Sequence, residues 1–339
     1  MFDTEEVLPI GPLTEYLDSA QVEGRGAPVE VTKIGQGRSN LTFRVTRDGR
    51  SYVLRRPPQG DLPETAHDMG REHRLLTALA PTPVRTPDPV LMCTDTAVIG
   101  APFYLMEEVE GLVIRESTPE AYDLKDRRLI GVETVDALAE LHTTDVDAVG
   151  LGEMGRPGYT ARQVARWTRQ WEQMATRSIP DLDAIRDWLT ANVPESHTRA
   201  IVHGDYKLDN VVFSGQGPAR LEAILDWEMA TIGDPLADLG YLLVFWPEPG
   251  EQTLAGFTLP SQEAGYATRQ QLIDRYEQQT GFAMHDVTLY RTLALWKLAI
   301  LTEGLYKRFL AGNSDSDWPK GLERAVPAMA AQARAWCGA

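Results

Sequence analysis

The hydrophobic pattern of this 339-residue chain changes once, near Gly111. Between Val29 and Glu107, short alternating or β-branched runs are separated by turn residues, a pattern typical of strands. After Gly111, apolar residues recur at helical spacing over long stretches. A chain of this length suggests about two domains at roughly 150 residues each. The sequence therefore predicts an α+β protein with a small β-rich part followed by a larger, mostly helical part.

The first part is predicted to form a small antiparallel sheet with one main helix, from Glu72 to Leu79. Asp48-Gly49 lies between two strand-like runs and is a strong signal for a tight hairpin. We place the boundary after residue 107, giving a β-rich lobe over 1–107 and a helical lobe over 108–339, with a ligand-binding cleft between them. The predicted strands cover 29–34, 41–46, 51–55, 90–93 and 103–107. The longer predicted helices cover 121–142, 160–176, 183–191, 235–245, 267–279 and 288–310.

The overall charge restricts the partners of the chain. The net charge is −16, from 33 basic and 49 acidic residues, so we expect no binding to nucleic acid. Every long apolar run is interrupted by charged residues, which predicts no membrane span and no membrane partner. The acidic start lacks a signal-peptide pattern, and Cys93 and Cys337 are too few for a disulfide scaffold. These features favour a cytoplasmic location.

The segment His203–Asn210 is a polar loop between two strand-forming runs. Asp205 offers a carboxylate that can accept a proton from a hydroxyl group or orient it. Lys207 offers a point charge for a transferred phosphate. Asn210 and, further along the chain, Asp226 supply the oxygen ligands that Mg²⁺ prefers. This combination predicts phosphoryl transfer, in which catalysis is mostly positioning and neutralisation of charge.

Two segments of the β-rich part are candidates for binding a nucleotide. Gly35 and Gly37, followed by Ser39, lie between two predicted strands, where backbone N–H groups can approach phosphate oxygens closely. At Glu107 a strand ends and becomes the linker to the helical part. Backbone groups from there to Val109 are free to pair with the edge of a base.

A charge pair between the third predicted strand and the following helix is a third nucleotide-binding candidate, with an ordinary surface ion pair as the alternative. Strand alternation places Arg55 on the opposite face of the sheet from Arg56, where it can point at nucleotide phosphates. Glu72 on the predicted helix could hold this guanidinium in a bidentate pair. Two other polar residues are predicted to be structural, His203 by hydrogen bonding to backbone and Asp238 by bracing the polar loop.

These motifs resemble the aminoglycoside phosphotransferase family, which has the protein-kinase-like fold. HGDYKLDN is similar to the family's catalytic loop, LDWE to its second metal-binding segment, and LMEEVEG to its hinge, over roughly residues 28–310. The resemblance implies a bilobal fold, ATP and Mg²⁺ as cofactors, and a small-molecule hydroxyl as phosphate acceptor. It makes Asp205 the catalytic aspartate and Asn210 and Asp226 the metal ligands. It also implies adenine contacts at the Glu107 carbonyl and the Val109 N–H.

The stretches YVLRRPPQG, HDMGREHRLL and LWKLAILTEGLYKR resemble the kinase-like domain fused to some acyl-CoA dehydrogenases. That resemblance implies a hydroxyacyl-CoA-type acceptor more than an antibiotic. The sequence alone leaves both open: an acid-lined pocket would favour aminoglycosides, and lysine or arginine would favour an acyl-CoA. Arg55 stands where kinases usually carry a lysine, so a non-catalytic kinase-like protein that binds a nucleotide or metabolite is the alternative.

Overall fold

The computed structural model describes residues 7–34, 40–59, 68–194, 198–251, 259–312 and 318–339. The chain forms two compact units, one of Met1–Glu110 with Glu222–Glu228 and one of Gly111–Leu221 with Met229–Ala339. The first unit thus ends three residues beyond the predicted boundary at 107. It also includes Glu222–Glu228, which the sequence placed in the helical lobe. This segment packs with the first unit, where the Ile224 N–H donates to the Arg85 carbonyl at 2.8 Å.

The first unit contains a five-stranded antiparallel sheet with the strand order β1-β2-β3-β5-β4. The predicted strands are confirmed to within a few residues. Asp48 (φ 50°) and Gly49 (φ 75°) both have left-handed backbone, as the predicted tight hairpin requires. The strands are β1 (Val29–Lys33), β2 (Leu41–Arg47), β3 (Arg50–Arg56), β4 (Pro89–Cys93) and β5 (Phe103–Glu107).

Helices cover both faces of this sheet. Helix α1 (Ile10–Ser19) buries Leu13 and Leu17 in the cluster that contains Leu54 of β3. Helix α2 (Met69–Leu79) contacts β4 and β5, and a short helix α3 (Thr96–Ile99) packs beside α1. Helix α2 begins three residues before the predicted start, because the Asp68 side chain accepts a hydrogen bond from the Arg71 N–H and caps it.

The second unit is mostly helical, as predicted. Strand β6 (Ala200–Val202) pairs in antiparallel fashion with β9 (Thr231–Gly233), and the polar loop follows β6 directly. Strand β7 (Val211–Phe213) follows that loop, whereas most of β8 (Leu221–Ile224) belongs to the Glu222–Glu228 segment of the first unit. The helices are α4 (Leu124–Thr143), α5 (Tyr159–Met174), α6 (Pro180–Asn192), α7 (Leu236–Val244), α8 (Arg269–Thr280), α9 (Val287–Leu310) and α10 (Leu322–Cys337).

Buried tryptophans fix the helices of the second unit. The Trp246 indole donates to the Ala267 carbonyl at 2.8 Å, and the Trp296 indole donates to the Leu182 carbonyl at 3.0 Å. Both side chains are fully buried, so each N–H needs such a partner. None of the described helices combines the length and the apolar composition that crossing a bilayer requires.

Candidate active site

The polar loop begins with a sharp turn at Gly204, which follows β6. Its backbone is left-handed, with φ 85°. A Cβ atom at this position would lie 3.0 Å from the Met229 carbonyl oxygen. Only glycine combines this φ value with so close an approach. The turn fixes the direction in which the next residue, Asp205, leaves the strand.

The loop brings three predicted residues together, because the side chains of Lys207 and Asn210 both contact the Asp205 carboxylate. The Lys207 ammonium lies 3.0 Å from both carboxylate oxygens. The Asn210 amide N–H donates at 2.8 Å to Oδ2 of Asp205 and at 2.8 Å to its backbone carbonyl. The carboxylate is therefore held in one orientation by two side chains from its own loop.

The electrostatic surroundings keep Asp205 ionised. Burial raises the pKa of this carboxyl group, but Lys207, Lys297 and the Tyr241 hydroxyl outweigh that effect and hold its pKa below the ordinary value. Burial and the Asp205 charge together raise the pKa of Tyr241 well above its usual range. Asp205 is thus a fixed anion that can accept a hydrogen bond from a substrate hydroxyl.

A second carboxylate, that of Asp238, supports the polar loop by accepting hydrogen bonds from its backbone. Asp238 on α7 accepts hydrogen bonds from the His203 N–H at 2.6 Å and the Gly204 N–H at 2.8 Å. The His142 ring lies 3.2 Å from the same carboxylate, and its other nitrogen is 2.6 Å from the Tyr276 hydroxyl. His203 itself accepts from the following backbone, at the Asp205 N–H. Both His203 and Asp238 therefore have the structural contacts that the sequence predicted.

In the first unit, Arg55 lies on β3 in a buried ion-pair network. One terminal nitrogen is 3.2 Å from Glu72, and the other is 2.9 Å from Asp226. Glu72 therefore contacts the guanidinium, as predicted, but does not hold it alone, since Glu228 also lies 3.8 Å from it. The additional carboxylates are present because Glu222–Glu228 packs with this unit.

The Glu72 carboxylate also accepts hydrogen bonds from two neutral side chains. The Asn40 amide donates to it at 2.9 Å, and the Tyr104 hydroxyl donates at 2.9 Å. Burial raises the pKa of Glu72, and the charge of Arg55 opposes this shift. Sequence reasoning missed Asn40 and Tyr104, because neither belongs to a pattern that indicates ion-pair support.

Both predicted metal ligands retain an oxygen for a cation. Asp226 uses Oδ1 for Arg55, while within the described ranges Oδ2 has no partner. Its φ of 65° is unusual for a non-glycine residue and is typical of functional positions. Asn210 donates through its amide nitrogen, which leaves the amide oxygen free among the described residues. The same ranges contain no group of three or more histidine, cysteine, aspartate or glutamate side chains that could hold a metal ion.

The remaining nucleotide-binding predictions concern the residues that follow β1 in the sequence and the end of β5. Gly35, Gly37 and Ser39 fall outside the described residues. Strand β5 ends at Glu107 as predicted, and within the described part of the chain the Val109 N–H has no hydrogen-bond partner. That N–H is therefore available for the edge of a base.

The second unit also contains a pocket beside the polar loop, lined by residues of α5, α7 and α9 together with Gly204. Trp167 and Lys297 contribute to its wall. Sequence reasoning missed Lys297, although a lysine within an otherwise apolar helical run was the available signal.

The five-stranded sheet, the polar loop and the Asp238 carboxylate that supports this loop together assign the protein to the kinase-like fold class. The sequence pattern of the phosphotransferase enzyme family (APH) matches residues 30–277. The chain therefore belongs to this family, and the predicted resemblance is confirmed.

Sequence relatives and solved structures agree with this assignment. Acyl-CoA dehydrogenase family member 11 of Rattus norvegicus is 36% identical over 330 residues, which cover 93% of this chain and 42% of the relative. The chain thus spans about two fifths of the length of that protein. A crystal structure of a provisionally named aminoglycoside phosphotransferase from Ralstonia eutropha JMP134 is 33% identical, with a TM-score of 0.82 over 100% of this chain and 99% of the other. A GDP complex of aminoglycoside 2'-phosphotransferase-IIIa, 20% identical, has the same fold with a TM-score of 0.63 over 95% and 99% of the two chains.

Replacing Arg55 with methionine should weaken both nucleotide binding and the fold. The change leaves Glu72, which is only 3% exposed, without its cation, so we expect a loss of about 3 kcal/mol in unfolding free energy. Chemical denaturation and ATP titration calorimetry measure the two effects. Arg44→Met is the matched control, since Arg44 forms an exposed pair with Glu108 that contributes less than about 1 kcal/mol. An unchanged ATP affinity in Arg55→Met would show that Arg55 is structural only.

Proposed function

We propose that this chain is a Mg²⁺-dependent small-molecule kinase that transfers the γ-phosphate of ATP to an alcohol. The observation that carries the proposal is the Asp205 carboxylate, ionised and held by Lys207 and Asn210. A purely structural aspartate would not require a lysine and an asparagine converging on it from one short loop. The family assignment supports the same reaction class.

In the proposed reaction, the acceptor hydroxyl donates a hydrogen bond to Asp205. The hydroxyl oxygen attacks the γ-phosphorus, the bond from that phosphorus to the bridging oxygen breaks, and ADP leaves. The hydroxyl proton passes to Asp205 as the new bond forms. Lys207, already 3.0 Å from that carboxylate, supplies positive charge to the moving phosphate.

The nucleotide is assigned to residues of the first unit. Arg55, supported by Glu72, supplies charge for its phosphates, and the Glu107 carbonyl and Val109 N–H pair with the base. Gly35, Gly37 and Ser39 are assigned to the phosphates on the sequence pattern alone. Asn210 and Asp226 would supply oxygen ligands to Mg²⁺, whose charge would offset that of the phosphates. A GDP-bound fold relative motivates testing GTP as a second donor.

Two acceptor classes follow from the relatives' names. Solved structures of similar fold are named as aminoglycoside phosphotransferases, whereas the relatives at 36% identity are named acyl-CoA dehydrogenase family members. A hydroxyacyl-CoA-type acceptor and an aminoglycoside are therefore the candidates. We also propose a cytoplasmic location, on the acidic composition and the two cysteines.

The proposal is tested by incubating the protein with Mg²⁺ and γ-labelled ATP or GTP across a panel of hydroxyl compounds. The panel contains aminoglycosides, hydroxyacyl-CoA esters, sugars and amino alcohols. We expect label to move to at least one acceptor and the transfer to stop when Mg²⁺ is chelated. Nucleotide binding without transfer to any acceptor would instead favour the non-catalytic binding protein, for which the arginine at position 55 is the motivating observation.

A further inference from the structure

The pocket beside the catalytic loop contains one lysine in an aromatic wall. Lys297 projects from α9, and its ammonium lies 4.9 Å from the centre of the Tyr241 ring and 5.6 Å from that of Trp167. It also donates a hydrogen bond to the Gly204 carbonyl, directly before the catalytic aspartate. Tyr241, which also lines the pocket, hydrogen-bonds to the Asp205 carboxylate, so the pocket adjoins the group that would bind the acceptor hydroxyl.

The hydrogen-bonding capacity of Lys297 is only partly used. An ammonium group has three N–H donors. Among the described residues the Gly204 carbonyl is its sole acceptor, and the aromatic faces attract the charge without supplying an oxygen. Burial lowers the pKa of Lys297 to about 8, although the carboxylates of Asp205 and Asp238 oppose this shift. The side chain therefore still carries its positive charge in most molecules at neutral pH.

The pocket does not offer a free carboxylate for a cationic acceptor. Asp238 is the acidic residue among those that line it. Its two oxygens already accept from the His203 and Gly204 N–H groups and face His142. A polyamine acceptor placed here would meet the Lys297 ammonium and find no unused anion in the lining. Like charges in a partly desolvated site repel, so such an acceptor is disfavoured.

We propose, on the basis of the kinase activity proposed above, that Lys297 determines acceptor specificity by binding a carbonyl or carboxylate oxygen near the hydroxyl that is phosphorylated. Trp167 and Tyr241 pack on the apolar part of the same molecule. The acceptor class is therefore a hydroxy acid or its ester or thioester. Aminated sugars are disfavoured, because their ammonium groups would face the Lys297 ammonium.

A structural role for Lys297 predicts a different kinetic pattern. If the lysine only held the Gly204 carbonyl in place, its loss would lower activity towards all acceptors by the same factor. If it binds the acceptor, its loss lowers kcat/KM for acyl acceptors and leaves amino alcohols unaffected or improved. The ratio of the two kcat/KM values separates these roles.

The experiment compares hydroxybutyrate isomers, their coenzyme A thioesters and amino alcohols of the same length, with MgATP as donor. The acid and thioester arms distinguish a free carboxylate from an acyl group as the bound oxygen. We expect the wild-type protein to prefer acyl acceptors, and Lys297→Met to reduce the kcat/KM ratio by about tenfold or more. Lys297→Arg, which keeps the charge, should restore part of the preference. Lys307→Met changes the same charge on an exposed part of the same helix and should leave the ratio unchanged.

Each outcome of this experiment either supports or overturns the role of Lys297 in acceptor specificity. Wild-type protein that phosphorylates acyl acceptors and loses this preference in Lys297→Met supports the inference. Wild-type protein that prefers amino alcohols overturns it, even if Lys297→Met does not fold. An unchanged ratio in a folded Lys297→Met also overturns it, while the kinase activity stands. No transfer to any acceptor, despite ATP binding, overturns the proposed function and this inference with it.

Discussion

Replacing Asp205 with asparagine should lower kcat for phosphoryl transfer by about a thousandfold while nucleotide affinity changes little. The asparagine fills nearly the same space and can still accept a hydrogen bond from Asn210. It cannot take the hydroxyl proton, and it no longer attracts Lys207, now 3.0 Å away. The loss should therefore appear in kcat, since the carboxylate acts on the acceptor during transfer.

The matched control for this variant is Asp187→Asn. Asp187 makes an exposed ion pair with Arg186 in the same unit, and its side chain is 71% exposed. We expect wild-type kcat and stability from it. Turnover within a few-fold of wild type in a folded Asp205→Asn protein would remove Asp205 from the reaction. The polar loop would then have only a structural role.

Replacing Asp226 with asparagine should lower transfer at least about a hundredfold and raise the Mg²⁺ concentration needed for half-maximal rate. A neutral amide is a weaker ligand for Mg²⁺ than a carboxylate. The same change also removes the nearest of the three carboxylates around Arg55, so the guanidinium should shift towards Glu72 and Glu228. Initial rates at a series of Mg²⁺ concentrations, with saturating ATP and acceptor, measure the effect.

Glu23→Gln is the control for Asp226→Asn, because it removes one negative charge from the same unit at an exposed pair with Arg50. It should leave the Mg²⁺ dependence unchanged. If Asp226→Asn lowers the rate with no change in Mg²⁺ dependence, the residue acts through Arg55 and is not a metal ligand. Partial recovery of the rate at high Mg²⁺ is the result that the assignment predicts.

Local sequence signals were sufficient for most of the architecture. The Asp48-Gly49 hairpin and the helix over 288–310 were predicted because turn chemistry and apolar periodicity agree at each place. The His203–Asn210 loop was predicted as a unit for a similar reason, since the contacts of Lys207 and Asn210 with Asp205 join residues that are at most five apart.

Contacts between distant parts of the chain could not be predicted from local sequence signals. Arg55 meets an acid that lies 171 residues away, so no spacing in the sequence indicated that Glu72 would share the guanidinium. Lys297 lies 93 residues from the Gly204 carbonyl that it contacts. Helical periodicity indicates which face of α9 is buried, but not that its lysine approaches a loop from another part of the unit.

Phosphoryl transfer itself is tested most directly by following the wild-type protein with MgATP and the best acceptor of the panel by phosphorus NMR. We predict that a phosphomonoester resonance appears in step with ADP, one for each ATP consumed, and that neither forms in the Asp205→Asn protein. ADP with inorganic phosphate alone, or unchanged ATP in the presence of every acceptor, would contradict the assignment of this chain as a small-molecule kinase.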